Sequence, residues 1–461
     1  MKRVLSIFML SFIIVTTACK KSDNGPTLPN NSGDTTSVSG DIRGIITSDQ
    51  HWTKDKTYRL RGYVYVTNGA TITIDPGTKI VSNKDSAGVL VIYRGAKIMA
   101  EGTSSEPVVF TSNETNPQPG DLGGIVLVGQ ARGNGNHSVL EGGVDPQFSV
   151  FGGTNDADNS GVLKYVRIEY AGKAVNPGDE INGLSLYGVG SGTTIDYVEI
   201  IRGLDDAFEF FGGTVNCKHL IAYNCADDDY DMDDGYRGKI QYAISIKDPS
   251  FTDNKGTTGD ISNNFEVDNV NPSNGFLWTR SPVTFPVLSN FTAVGPNNAS
   301  GTSPDYGYGM RWRRGAKFIL ANSIVIGGQR AGLDIDDDST ASYYKNDTSR
   351  FYNSFLNAYG SPFHVDKLVG VPAVLDSLGL ATKVTAHDMS VYYPNAADIM
   401  LTDPFNDAGP NVMPKAGSPA LSTAGKFDFG LLSDSFFDHT SFIGALDASN
   451  DWTAGWTSWN R

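Results

Sequence analysis

The feature that most constrains this chain is a repeat. Setting "VEIIRGLDDAFEFFGG" (198–213) over "LIAYNCADDDYDMDDG" (220–235) aligns the two at an offset of 22 with no gap. Asp205 falls on Asp227, Asp206 on Asp228, Glu209 on Asp231 and Gly213 on Gly235. Runs rich in Val, Ile and Tyr, each closed by Gly, Asn or Asp, recur through the body, among them "YVYVTNGATITIDPGTKIV", "LKYVRIEYAG" and "FILANSIVIGG". A period near 22 with two or three short strands per unit is one coil of a parallel β-helix. No coil buries its apolar face alone, so stacking at about 4.8 Å builds the core. The expected fold is all-β, a solenoid with N- and C-terminal caps.

One strand of each coil can be followed along the solenoid. Its segments are "LSLY" (184–187), "FEFF" (208–211), "YDMD" (230–233), "FEVD" (265–268), "MRWR" (310–313), "LDID" (333–336) and "FHVD" (363–366). Alternate residues of a strand face opposite ways, so the apolar members point into the core. The outward members form two columns. One reads Ser185, Glu209, Asp231, Glu266, Arg311, Asp334, His364, and the other Tyr187, Phe211, Asp233, Asp268, Arg313, Asp336, Asp366.

Like charges stacked at strand spacing repel. Glu209, Asp231 and Glu266 therefore need a cation between them, a retained proton, or help from Arg311 and Arg313. Carboxylate oxygens suit Ca²⁺ among cations. A self-neutralised ladder with no ligand is the competing reading. If the stripe is a binding surface, Glu209, Asp334, Asp336 and His364 are candidate ligand contacts, with Tyr187 and Phe211 as platforms for sugar rings. The corner residues Asp205, Asp206, Asp227, Asp228 and Asp229 read as turn formers, since Asp side chains bond the local backbone; a calcium clip across two corners is the alternative. The EF-hand pattern is not matched, and the six histidines show no close metal-ligand spacing.

The coils resemble those of the right-handed parallel β-helix superfamily that includes pectate-lyase-like proteins. "PKAGSPALSTAG" (414–425) is similar to a last-coil phrase of that group, and "FIGALDASNDWTAGWTSW" resembles the C-terminus of a family of β-helix lipoproteins from Bacteroidetes, largely of unknown function. The resemblance covers nearly all of residues 45–461. Polysaccharide lyases of the superfamily use a calcium ion to neutralise a uronate carboxylate and a basic residue to take the C5 proton. Carried over, Asp231, Asp233, Glu266 and Asp268 would hold the ion, and Arg311 or Arg313 would be the base. The expected function is non-catalytic or weakly catalytic engagement of a surface glycan along the stripe, with Ca²⁺ as the candidate cofactor. The alternatives are a calcium-dependent polysaccharide lyase or glycoside hydrolase, and a purely structural adhesin.

The ends and the charge balance complete the reading. Lys2 and Arg3 precede an apolar run, Val4 to Val15, too short for an ordinary transmembrane helix. Residues 1–18 resemble a lipoprotein signal, with Cys19 as the lipidated residue and residues 19–40 as a flexible tether. That implies an outer-membrane lipoprotein facing the cell surface. Residues 41–75 read as a β-rich N-terminal cap, 76–370 as the β-helix, and 371–461 as a closing coil and cap, with a short helix in 372–380 and Trp452, Trp456 and Trp459 covering the last coil. The net charge of -15 disfavours nucleic acid. Cys217 and Cys225 lie roughly 25 Å apart along a strand, too far for a disulfide, and read as buried thiols.

Overall fold

The computed structural model describes residues 40–176, 179–253, 261–406 and 408–459. The signal segment, Cys19 and the tether up to residue 39 lie outside the described residues. Among the described residues, one sheet of 26 strands, parallel at every pairing, winds into a parallel β-helix as expected. Phe208–Phe211 pairs in register with Tyr230–Asp233, so the 22-residue offset is one turn of the coil. The gapped matches hold too: Asp231 pairs with Glu266, Glu266 with Arg311, Arg311 with Asp334 and Asp334 with His364. Parallel pairing begins at Gly40–Ile46, so the stretch set apart as an N-terminal cap is itself coiled. It extends to Val391–Tyr392.

Long strands carry the corners of the solenoid. Gly161–Glu169, Thr194–Ile201, Asn216–Tyr223, Lys239–Ile246 and Val287–Val294 each bend at one left-handed residue in the same register position. These are Tyr165 (φ 49°), Tyr197 (54°), His219 (51°), Tyr242 (62°) and Asn290 (57°). A left-handed backbone costs a non-glycine residue about 1–2 kcal/mol. Ring stacking offsets this. Tyr165 and Tyr197 stack at 4.3 Å, Tyr197 and His219 at 4.1 Å, and His219 and Tyr242 at 5.0 Å. Tyr197→Leu removes two stacks at once and is expected to cost about 1–3 kcal/mol in urea unfolding. An unchanged midpoint would mean that the rings do not hold the corner.

The inward residues form a stacked core. Phe208, Tyr230 and Phe265 follow one another at 5.4 and 5.5 Å, and Trp312 lies 3.7 Å from Phe318. Cys217 and Cys225 are free and buried, and burial pushes the Cys225 thiol up to about 12.

The C-terminal tryptophans correct an expectation. They do not cover the last coil. Trp456 packs edge-on to Tyr165 and Tyr197 at 5.8 and 5.9 Å, Trp452 lies 5.0 Å from His219, and Trp459 lies 5.1 Å from Tyr223. The reason is that the long strands turn Ile201, Ile221, Ile244, Ile246 and Val294 outward, and this second apolar face needs cover. The last coil is closed instead by the helix Ser377–Thr382 and the turn after it, whose Leu380 and Val384 join the core. No helix among the described residues is long and apolar enough to cross a membrane.

Candidate functional site

The outward columns divide into two halves of different chemistry. In the C-terminal half, cations and carboxylates interleave. Arg313 Nε donates to Asp268 at 2.7 Å, and its terminal nitrogen donates to Glu266. Arg314 donates to the other Asp268 oxygen. Arg311 sits 3.4 Å from both Glu266 and Asp336 and 3.7 Å from Asp334. His364 Nδ1 meets Asp334 at 2.6 Å, and Lys367 meets Asp336 at 2.6 Å. Burial pushes Asp334 up to about 6, against the pull of His364. This half is a self-neutralised ladder.

In the N-terminal half, no lysine or arginine pairs with Asp206, Glu209 or Asp231 among the described residues. Asp206, Glu209 and Asp231 bring carboxylate oxygens within 4.8 Å of one another, as do Asp228, Asp231 and Glu266, and Asp205, Asp206 and Asp227. The Asp228 N–H donates to Asp206 at 2.8 Å, which ties successive corners together. The Asn182 amide donates to Glu209, and the Asn263 N–H to Asp228. Asp231 is partly exposed as a residue, yet its Oδ1 is shut off from solvent and meets no hydrogen-bond donor; the same holds for Asp233. Among the described residues, no lysine or arginine pairs with Asp206, Glu209, Asp231 or Asp233. Burial, and then the neighbouring carboxylates, hold all four well above the usual carboxylate range.

Four corner aspartates lie beside the cluster; Asp206 and Asp228 accept from backbone N–H groups, as turn formers do, while their grouping is the one a calcium clip across two corners needs. Asp205, Asp206, Asp227 and Asp228 face the outward column because successive corners stack as the strands do. The signal was the ungapped repeat, which already set Asp205 and Asp206 over Asp227 and Asp228. Asp229 behaves differently. It turns inward to Lys247, 2.9 Å away, and accepts from Ser245; burial pushes it up to about 6.

The aromatic platforms are corrected outright. Tyr187 and Phe211 are 1% and 0% exposed and stack on each other at 4.0 Å. A loop lies over them, with Phe151 5.1 Å from Tyr187 and His137 5.3 Å from Phe211. No ring face is left for a sugar. The loop is clamped by Asp234, which meets His137 at 3.1 Å and accepts from Asn136 at 2.9 Å. Burial opposes the charged imidazole, but Asp234 prevails and raises His137 to about 9. Asp233 faces this histidine, and Asp268 faces Arg313 and Arg314. The expected quartet of Asp231, Asp233, Glu266 and Asp268 is therefore split. Asp231 and Glu266 share one carboxylate cluster with Asp228, while Asp233 and Asp268 adjoin it without entering it.

The family model described as a pectate-lyase-like β-helix domain matches residues 44–377, well over half of the chain. The chain belongs to the pectate-lyase-like β-helix family. No curated protein and no solved structure matches it. In this pectate-lyase-like β-helix protein the base expected at Arg311 or Arg313 is not available. Both are 6% exposed or less, and both are engaged by carboxylates. A guanidinium has no acceptor lone pair with which to take a proton.

Proposed function

We propose that this protein engages a glycan along its charged stripe, with Ca²⁺ seated among Asp206, Glu209, Asp228, Asp231 and Glu266. The observation that carries this is the trio Asp206, Glu209 and Asp231, with which no lysine or arginine pairs among the described residues and whose enclosed Asp231 Oδ1 lacks any donor; Asp228 and Glu266 adjoin it and have partners of their own. Ca²⁺ takes six to eight oxygen ligands in flexible geometry, and a carboxylate-rich donor set suits it. When bound, the ion would neutralise the cluster and offer free positions to sugar hydroxyls or carboxylates. The reading is non-catalytic, because the arginines of the ladder are occupied.

A second reading, glycoside hydrolysis, draws on the same residues. A general acid must hold its proton, and burial with neighbouring carboxylates raises both Glu209 and Asp231, which favours the protonated form. The N-terminal sequence supports lipidation at Cys19 and placement at the outer membrane, facing the cell surface.

Calorimetric titration of the full-length protein with CaCl₂, followed by glycan-array screening with and without the ion, tests the reading. Saturable binding is expected, with stabilisation of about 2.7 kcal/mol at a hundredfold excess over Kd. The triple variant Asp206→Asn, Glu209→Gln, Asp231→Asn should lose both the ion and the glycan. Glycan retention unchanged in that variant would sink the proposal, and absence of any glycan would leave the adhesin.

A further inference from the structure

A second group of ligating side chains lies apart from the carboxylate trio, where the loop between Leu122–Val128 and Gly161–Glu169 crosses the outward face. His137 of that loop, with Asp233 and Asp234 of the solenoid, brings a ring nitrogen and two carboxylate oxygens within 4.8 Å of one another. His137 Nδ1 stands 3.1 Å from both oxygens of Asp234. Ligand atoms bound to one ion at about 2.0–2.2 Å stand roughly 3.0–3.6 Å apart, so this spacing suits a shared ion. Asp234 is fully buried and held in place by its neighbours. It accepts from the Asn136 amide at 2.9 Å and from the His137 backbone N–H at 3.2 Å. The other ring nitrogen, Nε2, faces Glu141 at 3.7 Å. A metal-bound histidine presents its second ring N–H to a carboxylate in this way. The residue that points to a missing partner is Asp233. Its side chain accepts no hydrogen bond among the described residues, and its Oδ1 is enclosed. Arg314 acts on it only at longer range, since its own contact is Asp268.

We infer that His137, Asp233 and Asp234 form a site for a divalent transition-metal ion of the Zn²⁺ class. Imidazole with carboxylate is a ligand set for such ions, whereas the all-oxygen trio suits Ca²⁺. Two carboxylates and a neutral imidazole sum to zero around a dication, which relieves the repulsion between Asp233 and Asp234. Asp233 has no hydrogen bond to give up on turning to the ion. The side chains of His137 and Glu141 are 23% and 27% exposed, so the ion enters from solvent. Bound there, it ties the loop over Tyr187 and Phe211 to the end of the strand Tyr230–Asp233. The inference uses a different ligand set from the calcium reading and does not depend on it.

The test is calorimetric titration of the full-length protein with ZnCl₂ in mildly alkaline buffer, where the proton that Asp234 holds on His137 competes least. CaCl₂ is present in excess to occupy the all-oxygen cluster. Saturable binding of a single ion per chain is expected. His137→Gln and Asp233→Asn should each weaken it by at least about a hundredfold, since even the outer partners of a metal ligand are worth about ten- to a hundredfold. The triple variant Asp206→Asn, Glu209→Gln, Asp231→Asn should bind Zn²⁺ as the unaltered protein does, whatever it does with calcium. No Zn²⁺ bound by the unaltered protein would leave His137 as a counter-ion of Asp234 and overturn the inference. Binding that survives both single substitutions, or that is lost in the triple variant, would overturn it too. Asp233→Asn removes no hydrogen bond among the described residues, so it decides even if His137→Gln loosens the loop.

Discussion

Replacing Arg313 with methionine is expected to destabilise the protein by about 3–5 kcal/mol. Arg313 is 5% exposed and bridges Glu266 and Asp268, themselves 5% and 3% exposed. Removing the cation leaves Glu266 with Arg311 at 3.4 Å and Asp268 with Arg314. Both carboxylates then lose a short contact while remaining enclosed, and desolvation is no longer matched. Arg314→Met is the control. Its side chain is 29% exposed, and Asp268 keeps Arg313, so a loss of about 1 kcal/mol or less is expected. Urea unfolding at neutral pH separates the two. Equal, small shifts would show that the ladder does not depend on its buried rung.

The second large effect concerns pH in calcium-free protein. Asp206, Glu209, Asp231 and Asp233 have folded-state pKa values raised by burial and then by one another. A raised carboxyl contributes stability that is fully present below its unfolded value and is lost as pH rises through its folded value. The calcium-free protein should therefore lose stability from the mildly acidic range upward. Below the ordinary carboxylate range the opposite groups act. Asp156, held low chiefly by Arg132, contributes stability that is lost as pH falls. The maximum is expected in mildly acidic solution.

Calcium should flatten the upper limb, because a bound cation replaces the protons. Asp231→Asn should flatten it as well. At an effective dielectric of about 20, each ionised neighbour at about 4.8 Å contributes roughly 3 kcal/mol of repulsion, so the variant should gain stability of that order in mildly alkaline, calcium-free buffer. It should also lose the ion. Thermal unfolding across pH, with EGTA or CaCl₂, is the measurement. A flat profile in EGTA would mean that the carboxylates are already compensated.

Much of this was legible in the sequence for a simple reason. Strand residues alternate with period two, and coils repeat with a near-constant period, so two numbers place a side chain in or out and above which neighbour. That is why both outward columns hold wherever the pairing register covers them, from Ser185 on Glu209 to Asp334 on His364, even across looped insertions. The loops obey neither period. The segment carrying His137 and Phe151 lies far in sequence from Tyr187 and Phe211, and nothing in its composition shows that it folds over them.

The sequence by itself determined the β-helix, the stacking order of the coils and the concentration of carboxylate along one face, because these follow from local periodicity and apolar burial. The tertiary structure decided which carboxylates are spoken for. Asp268 and Glu266 meet arginines from the next coil, Asp229 turns inward to Lys247, and Asp206, Glu209 and Asp231 meet no lysine or arginine among the described residues. Compensation is a matter of a few ångströms between side chains on different coils, where the length and direction of each side chain decide what touches. Column order says which residues are neighbours; only the three-dimensional arrangement says which of them are paired.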